Sequence, residues 1–482
     1  MDPRRDGQRA GSDALSRTLR VVAAAAVLLS AGAGCGGEPD EEPAKHLVVV
    51  VVDTLRADAL GCYGAQGDVT PRIDALAAGG TLFECAQTPS TWTIPATVSL
   101  LSGMTPFEHG TTSRNFGRIP SDVPMLAEVL GEAGVRSAAV VCNPIVSAEY
   151  AFDRGFGRFI HTEHAPARDA VDRALAWVEE TAPGGERMFL YLHLFDPHWP
   201  YEPAPPEAER FGIVPSVLDR AEQVALASGM MAGDAELTRQ LLEWGLWASE
   251  AYRACVASAD REIGRLFDEL DRLGVLESSV VVVTSDHGEE FGENGSLGHG
   301  RQLHRETLHV PLVLSGPGVP AGIRVPEPVP LRCIPATVLA RMGLRGPSAR
   351  LGADLIDDTA RSWTVEQDQV AVLNFALWPA EDGAFRLTRH LMALRRGDRR
   401  LLWSFEDDFD AGVGRLVPLA EDLTEGEAVP YDAERAGFEL LAALKQAWLR
   451  AREPTSLEDG GARARRRAKL EQLGYVEATG EK

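Results

Sequence analysis

The chain has 482 residues, 45% of them hydrophobic and 25% charged, and a formal net charge of −23. That composition excludes a disordered chain, and the length suits one large domain with a smaller one beside it. The acidic balance excludes coating of nucleic acid, which needs a basic face, and requires an anionic substrate to be drawn in by local donors or a cation.

In chain order, the arginines Arg4, Arg5, Arg9, Arg17 and Arg20 crowd the start of the apolar stretch LRVVAAAAVLLSAGAG, which ends in small residues before Cys35. This is the form of a bacterial export signal. Cys35 followed by GGEPDEEP reads as a lipoprotein cleavage site with Cys35 as the acylated N-terminus, although Gly32 stands where such signals carry leucine. Plain secretion and an uncleaved anchor are the alternatives, but the apolar stretch is shorter than the roughly 20 residues of a spanning helix. Residues 36–45 form a linker, and no later segment is long and apolar enough to span a membrane.

Three apolar runs then stop at an acid: HLVVVVVD at Asp53, RMFLYLHLFD at Asp196, and SSVVVVTSDH at Asp286 and His287. Runs without alternation read as strands buried on both faces, and ligands in open parallel sheets sit beyond the carboxyl ends of such strands. A single aspartate there is ordinarily a turn or a helix cap. Several acids around one crevice repel one another unless a cation holds them, so the three together predict a metal site.

Between these runs, SDVPMLAEVLGEAG (121–134) predicts a helix capped by Ser121 or Asp122 and stopped at Gly134, followed by the strand VRSAAVVC. Residues 202–250 begin Pro-rich, turn helical and predict a cap near the site; a helix over 254–276 delivers the strand ending at Asp286. PLVLSGPGVPAG (311–322) predicts a strand followed by turns. After about residue 346 the pattern changes to short strands, with a hairpin over 389–405 turning at Gly397 and Asp398, and a final helix over 436–453. The tail from 456 to 482 is basic and helical. Cys62, Cys85, Cys142, Cys255 and Cys333 lack zinc-site spacing and read as buried small hydrophobes, with no disulfide assignable from spacing.

The most specific segment is STWTIPATVSLLSGMTPFEHG, residues 90–110. Pro95 suits the first turn of a helix and Gly103 its end, so Thr93 sits at or just before a helix N-terminus, where amides and dipole favour an anion. In isolation such a threonine is a cap.

The segment resembles the catalytic stretch of the sulfatase branch of the alkaline phosphatase superfamily, C-x-P-S-R-x-S-L-L-T-G, which here reads T-I-P-A-T-V-S-L-L-S-G from Thr93 to Gly103. VVDTLRADALGCYG (51–64), FDPHWPY (195–201), SDHGEEFGENGSLGHG (285–300) and HVPLVLSGPG (309–318) match in order. The resemblance implies an α/β fold: an alkaline-phosphatase-like three-layer sandwich around a mostly parallel sheet over 46–345, with a smaller α+β domain carrying an antiparallel sheet over 346–455. It implies that Asp53, Asp286 and His287 are ligands of a divalent metal (calcium, manganese, zinc or magnesium), with Thr93 in the nucleophile position facing it. His198 and His299 fall near the transferred group and leaving oxygen; either protonates that oxygen, or both join Asp196 in a second metal site. Asn115 falls where an amide donates to a non-bridging oxygen, and His109 beside it is a substrate-binding candidate with a structural alternative. His193, inside an apolar strand, reads as a satisfied core histidine, and His304 and His309 receive no role.

The departures carry weight. Family members convert the cysteine or a serine to formylglycine by oxidising a primary carbon to an aldehyde; threonine would give a ketone, so no formylglycine is expected at Thr93. Thr97 replaces the arginine that holds the modified residue, and Thr54 replaces an aspartate that many members use for metal. Threonine nucleophiles of the superfamily work on phosphorus. The expected function is therefore metal-dependent hydrolysis of an anionic ester, phosphate or phosphonate ahead of sulfate. Competing readings are a true sulfuric ester hydrolase, a transferase passing the group to a glycan or lipid hydroxyl, and a non-catalytic binding protein.

Overall fold

The computed structural model describes residues 42–111, 118–216, 218, 222, 235–293, 297–344, 353–356, 369–379, 385–405, 413–419, 429–430 and 435–449. Cys35 with its signal, Asn115 and the basic tail lie outside the described residues.

Ten strands precede residue 345: β1 His46–Val52, β2 Thr81–Gln87, β3 Arg136–Val141, β4 Arg158–His161, β5 Met188–Leu194, β6 Ser279–Thr284, β7 Glu290–Phe291, β8 Leu297–Gly298, β9 Leu312–Ser315 and β10 Ile323–Pro330. Eight of them form one sheet in the order β10-β2-β9-β6-β1-β5-β3-β4, while β7 and β8 make a separate ribbon. The five valines of β1 explain its central place. β-Branched side chains stiffen an extended chain, and a strand apolar on both faces is stable only with helices above and below it. All seven residues of β1 are buried, and β1 pairs in parallel with β5 on one side and β6 on the other.

Two groups of helices cover the sheet. Pro71–Ala78, Ala167–Thr181 and Pro205–Phe211 pack on the long helix Ala235–Arg272, and Thr93–Ser102 packs with Leu126–Glu132 and Ile334–Arg341. Only β9 runs antiparallel to its neighbours, β2 and β6. The fold is thus the mostly parallel, alkaline-phosphatase-like architecture that the motifs predict.

The second sheet is an antiparallel meander of β11 Gln369–Pro379, β12 Phe385–Arg396, β13 Arg399–Phe405, β14 Val413–Pro418 and β15 Val429–Pro430. The predicted hairpin is β12–β13, turning at Gly397 with φ +60°. The helix Arg435–Leu449 lays Leu440 and Leu444 on Met392, Leu394, Leu401 and Trp403. Phe107 belongs to the same cluster, and Leu303 and Leu308 pack against Leu391 and Ala393, so this sheet rests on segments that flank the site.

Two predicted boundaries need correction. The helix expected from Ser121 begins at Leu126, because Pro124 disfavours helical geometry at Val123 and the first turn is closed instead by Glu128, whose carboxylate accepts from the Met125 amide at 3.1 Å. The helix expected over 254–276 is continuous from Ala235 to Arg272, because the apolar stripe runs unbroken through the stretch treated as a separate cap. Among the described residues the five cysteines are free thiols, four of them buried, and no helix is long and apolar enough to cross a membrane.

Candidate active site

Because β1 lies between β5 and β6 in register, the residues that follow β1 and β6 emerge side by side. Asp53 is the first residue beyond β1, and Asp286 and His287 follow β6 by two and three positions. All three are fully buried, and a carboxylate oxygen of each acid and a ring nitrogen of His287 lie within 4.8 Å of one another. His287 Nε2 is 3.4 Å from Asp286 Oδ2 and 3.9 Å from Asp53 Oδ1.

Hydrogen bonds between the two strand ends hold this geometry. Ser285 Oγ accepts from the Leu55 amide at 2.9 Å and donates to the His287 carbonyl at 2.6 Å. Thr54 adopts the left-handed φ of +58°, a conformation costly for a β-branched residue, and its amide turns toward Asp286 Oδ1 at 3.4 Å. The Tyr252 hydroxyl steadies that turn by donating to the Thr54 carbonyl at 3.0 Å and accepting from the Arg56 amide at 2.8 Å. On the other side, Asn143 follows β3 and donates Nδ2–H to Asp53 Oδ2, while its Oδ1 accepts from the Ile145 amide at 2.8 Å.

Thr93 is the first residue of its helix and Gly103, at φ +73°, closes it, as the sequence predicts. The Thr93 hydroxyl lies 3.1 Å from His287 Nε2. His287 Nδ1 is 3.1 Å from the Gly288 carbonyl, which accepts only if Nδ1 carries the proton. Nε2 therefore points at Thr93 and the carboxylates. Thr97, one turn further along, is buried, and its hydroxyl has no hydrogen-bond partner among the described residues.

The electrostatics fit a cation. Burial pushes the Asp53 carboxyl well up, and the charge of Asp286 pushes it further. For Asp286 burial also acts upward, but His287, His193 and the His287 amide outweigh it and hold the group down. Among the described residues no donor reaches the buried Asp53 Oδ1 and Asp286 Oδ2, an arrangement that costs stability unless something positive lies between them. Two carboxylates, an imidazole and a hydroxyl suit a divalent metal, so the residues present fit the metal that the motifs imply.

Two histidines border this centre. The His299 ring lies 4.3 Å from the His287 ring and 5.1 Å from that of His198. His198 stacks on Phe195 at 4.4 Å and donates Nδ1–H to the Trp199 carbonyl at 2.6 Å; burial, then His299, lowers its pKa to about 3. Burial likewise pushes His299 well down. Its Nδ1 lies 2.9 Å from the carboxylate of Glu289, which burial raises to about 7.

Three expectations are corrected. Asp196 does not join His198 and His299: its Oδ2 accepts from the Ala167 amide at 2.9 Å, capping a helix whose preceding residue, Pro166, supplies no side-chain cap. His109 is buried, with Nε2 3.0 Å from Ser99 Oγ and Nδ1 accepting from the Thr111 amide at 3.0 Å, so its nitrogens are engaged within its own segment rather than turned to a substrate. His193 is a core residue, as expected, but satisfied only in part: Nδ1 meets the Tyr191 hydroxyl at 3.2 Å, while Nε2 lies 3.9 Å from Asp53 Oδ2 without a hydrogen bond. His304 pairs with Glu290 at 2.7 Å and His309 with the Glu84 carbonyl at 2.8 Å.

Glu289, Ser285, Tyr252 and Asn143 went unread in the sequence. Asn143 had a signal: it is one more polar residue directly beyond an apolar strand, at the end of VVCN. Tyr252 had none, since it sits on a helix far along the chain.

An acid–imidazole centre beyond the central strands of an alkaline-phosphatase-like sheet, with a hydroxyl beside it at a helix N-terminus, defines a hydrolase of the alkaline phosphatase superfamily. Residues 45–344 match the Sulfatase family, and the chain belongs to it. Arylsulfatase K of Bos taurus is 26% identical over 401 residues, covering 72% of each chain. Among solved structures, a phosphonate monoester hydrolase from Silicibacter pomeroyi superposes with a TM-score of 0.63 at 19% identity over 84% of this chain and 94% of that one. A protein solved with its substrate D-glucosamine-2-N,6-O-disulfate superposes with a TM-score of 0.64 at 18% identity over 86% of this chain and 99% of that one.

Proposed function

We propose that the protein hydrolyses anionic phosphorus esters through Thr93, with phosphate or phosphonate esters ahead of sulfate esters. The observation that carries this reading is the Thr93 hydroxyl 3.1 Å from His287 Nε2, beside two buried acids. Asp53, Asp286 and His287 would hold a divalent metal, which would polarise the ester and ease ionisation of the Thr93 hydroxyl. The helix N-terminus at Thr93 favours the same ionisation.

Thr93 Oγ1, its proton released to solvent, attacks phosphorus in line. The new O–P bond forms as the ester O–P bond breaks, and the leaving oxygen keeps the electron pair and takes a proton from His299 or His198. Water then attacks phosphorus, the bond to Thr93 Oγ1 breaks, and the hydroxyl is restored. A phosphothreonine is resolved by this second attack. A sulfated threonine lacks the geminal hydroxyl by which a formylglycine hydrate expels sulfate, and Thr54 and Thr97 leave the site without the extra charged groups found in sulfatases.

The sulfate reading keeps a specific support, since Arylsulfatase K is named for sulfate esters and a structural neighbour was solved with a sulfated glucosamine. That neighbour also favours a glycan as the group carrying the ester, with a lipid head group as the other option. Turnover of p-nitrophenyl sulfate, p-nitrophenyl phosphate, bis-p-nitrophenyl phosphate and p-nitrophenyl phenylphosphonate by the metal-loaded enzyme decides. Phosphorus-ester turnover is expected to fall at least ~10³-fold in Thr93→Ala. Sulfate turnover without phosphorus turnover overturns the phosphorus preference, and activity untouched by Thr93→Ala overturns the nucleophile. Transfer to an added alcohol without release of free phosphate marks a transferase.

We also propose export with acylation at Cys35, resting on the arginine-led apolar stretch before it. Palmitate labelling and recovery in the membrane fraction, both lost in Cys35→Ala, are the expected results. A wild-type chain that is processed but unlabelled reverses this.

A further inference from the structure

The antiparallel sheet turns one face to the helix Arg435–Leu449 and the other to the segment that follows His299. On that second face Ala371, Leu391 and Ala393, with Leu402 beside them, pack on Leu303 and Leu308. Side chains alternate along a strand, so residues two positions away point the same way. Gln369, Arg395 and Arg400 stand two positions from Ala371, Ala393 and Leu402 and form the next row across β11, β12 and β13. They therefore face the same segment, and Arg400 Nη1 donates to the Leu303 carbonyl at 3.4 Å. The contact seals both arginines: Arg395 is 6% exposed and Arg400 1% exposed.

Like charges directly opposite on neighbouring strands repel, and a buried guanidinium needs a counter-charge. Arg395 has none among the described residues. Its Nε donates to the Gly397 carbonyl at 3.2 Å and its Nη1 to Gln369 Oε1 at 3.5 Å, and the ionisable groups that act on it are the Cys85 thiol and Arg400. Burial pulls its pKa down to about 10, so it stays charged at neutral pH. The chain holds 71 aspartates and glutamates, so acids are not scarce, yet no carboxylate acts on this arginine. The other side of the contact adds a second donor. Gln87 shares a face of β2 with Cys85 and is bridged to His309, on which the charge of Arg395 also acts. Gln87 is 6% exposed, and its Nε2 meets no acceptor among the described residues.

We infer that Arg395, Arg400 and Gln87 form a binding site for one free inorganic oxyanion, sulfate or phosphate, between the antiparallel sheet and the segment 303–309. Guanidinium forks match the oxygens of such an ion, and two arginines paired across β12 and β13 share it, which turns their repulsion into a common attraction. Their burial admits a free ion and shuts out the same group carried on a glycan or lipid. The site shares no residue with Asp53, Asp286, His287 and Thr93 and needs no metal. Its effect is to fasten the antiparallel sheet to the stretch that runs on from His299.

Thermal unfolding of the full chain, with chelator present, is followed in millimolar sulfate or phosphate and in chloride at the same pH and ionic strength. Tm is expected to rise with either oxyanion and not with chloride; beyond saturation each tenfold increase in ion multiplies the folded-to-unfolded ratio by about ten. Thr93→Ala keeps the whole response, because the ion does not sit at the reaction centre. Arg395→Met loses it, and in chloride this variant is at least as stable as the wild type, a buried charge without a counter-ion having gone. Gln87→Leu lowers the affinity by about tenfold, the loss of one charge-assisted hydrogen bond. A rise of the same size in chloride, a rise kept by Arg395→Met, or a rise lost in Thr93→Ala overturns the inference. Should Arg395→Met not fold, equilibrium dialysis of the chelated Thr93→Ala protein against radioactive sulfate decides. One sulfate per chain, displaced by unlabelled phosphate, supports the site, and no bound sulfate overturns it.

Discussion

The ends of β1 and β6 and the end of β5 carry the same sequence pattern, an apolar run stopping at an acid, yet they have different fates. Asp53 and Asp286 turn toward each other, each with an oxygen lacking a donor, whereas Asp196 gives its carboxylate to the Ala167 amide. The difference lies in what stands opposite. Beyond β1 and β6 the donors reach one oxygen of each acid, Asn143 on Asp53 Oδ2 and the Thr54 and His287 amides on Asp286 Oδ1, and the other two oxygens lie near His287 Nε2. Beyond β5 a helix begins with an unsatisfied N–H and no capping side chain of its own, and the acid supplies the cap. A carboxylate beyond a strand stays open to a cation where one of its two oxygens meets no donor among the described residues.

The largest effect expected from this contrast is at Asp53. Asp53→Asn keeps the volume and an oxygen for Asn143 but removes one of two buried charges, so activity falls by about 10³-fold or more, the several kcal/mol a metal ligand contributes to charge stabilisation. Stability moves the other way. In the chelated protein the repulsion between Asp53 and Asp286 is relieved, and Tm stays level or rises, while the Tm increase that the wild type gains from added divalent metal disappears. Thermal scans of both proteins with and without chelator check this. A variant that keeps its metal-dependent Tm shift shows that Asp53 is no ligand.

Much of this was legible in the sequence, for identifiable reasons. Continuous valines leave β1 no choice but the middle of a sheet, and Pro95 and Gly103 bracket the helix that starts at Thr93. The hairpin over 389–405 follows from one Gly-Asp turn between apolar strands. What escaped depends on partners distant in the chain. Tyr252 reaches the Thr54 carbonyl across 198 positions, and Leu55 meets Ser285 across 230. Periodicity reports which face of an element is buried, not which polar atom will lie opposite. Asp196 was misjudged for the same reason, since the amide that claims it lies 29 residues earlier.

Asp196 also offers the gentlest test of the contrast. Burial raises its carboxyl from 3.8 to about 6, with the Ala167 amide opposing that shift only in part. A group whose pKa is higher in the folded protein binds its proton more tightly there. Its contribution to stability is therefore complete below pH 3.8 and is lost as pH rises through about 6. At pH 7 the ionised acid is a burden that the cap offsets. Asp196→Asn retains an oxygen that can accept from Ala167 and sheds the charge, so at pH 7 the variant should be as stable as the wild type or slightly more so, with a flatter stability profile between pH 4 and 6. Activity should change by less than about threefold, the opposite of the Asp53 variant, because a helix cap touches no reacting atom. A large loss of kcat in Asp196→Asn, with the profile unchanged, would instead return Asp196 to the reaction centre and require the β5 end to rearrange when metal binds.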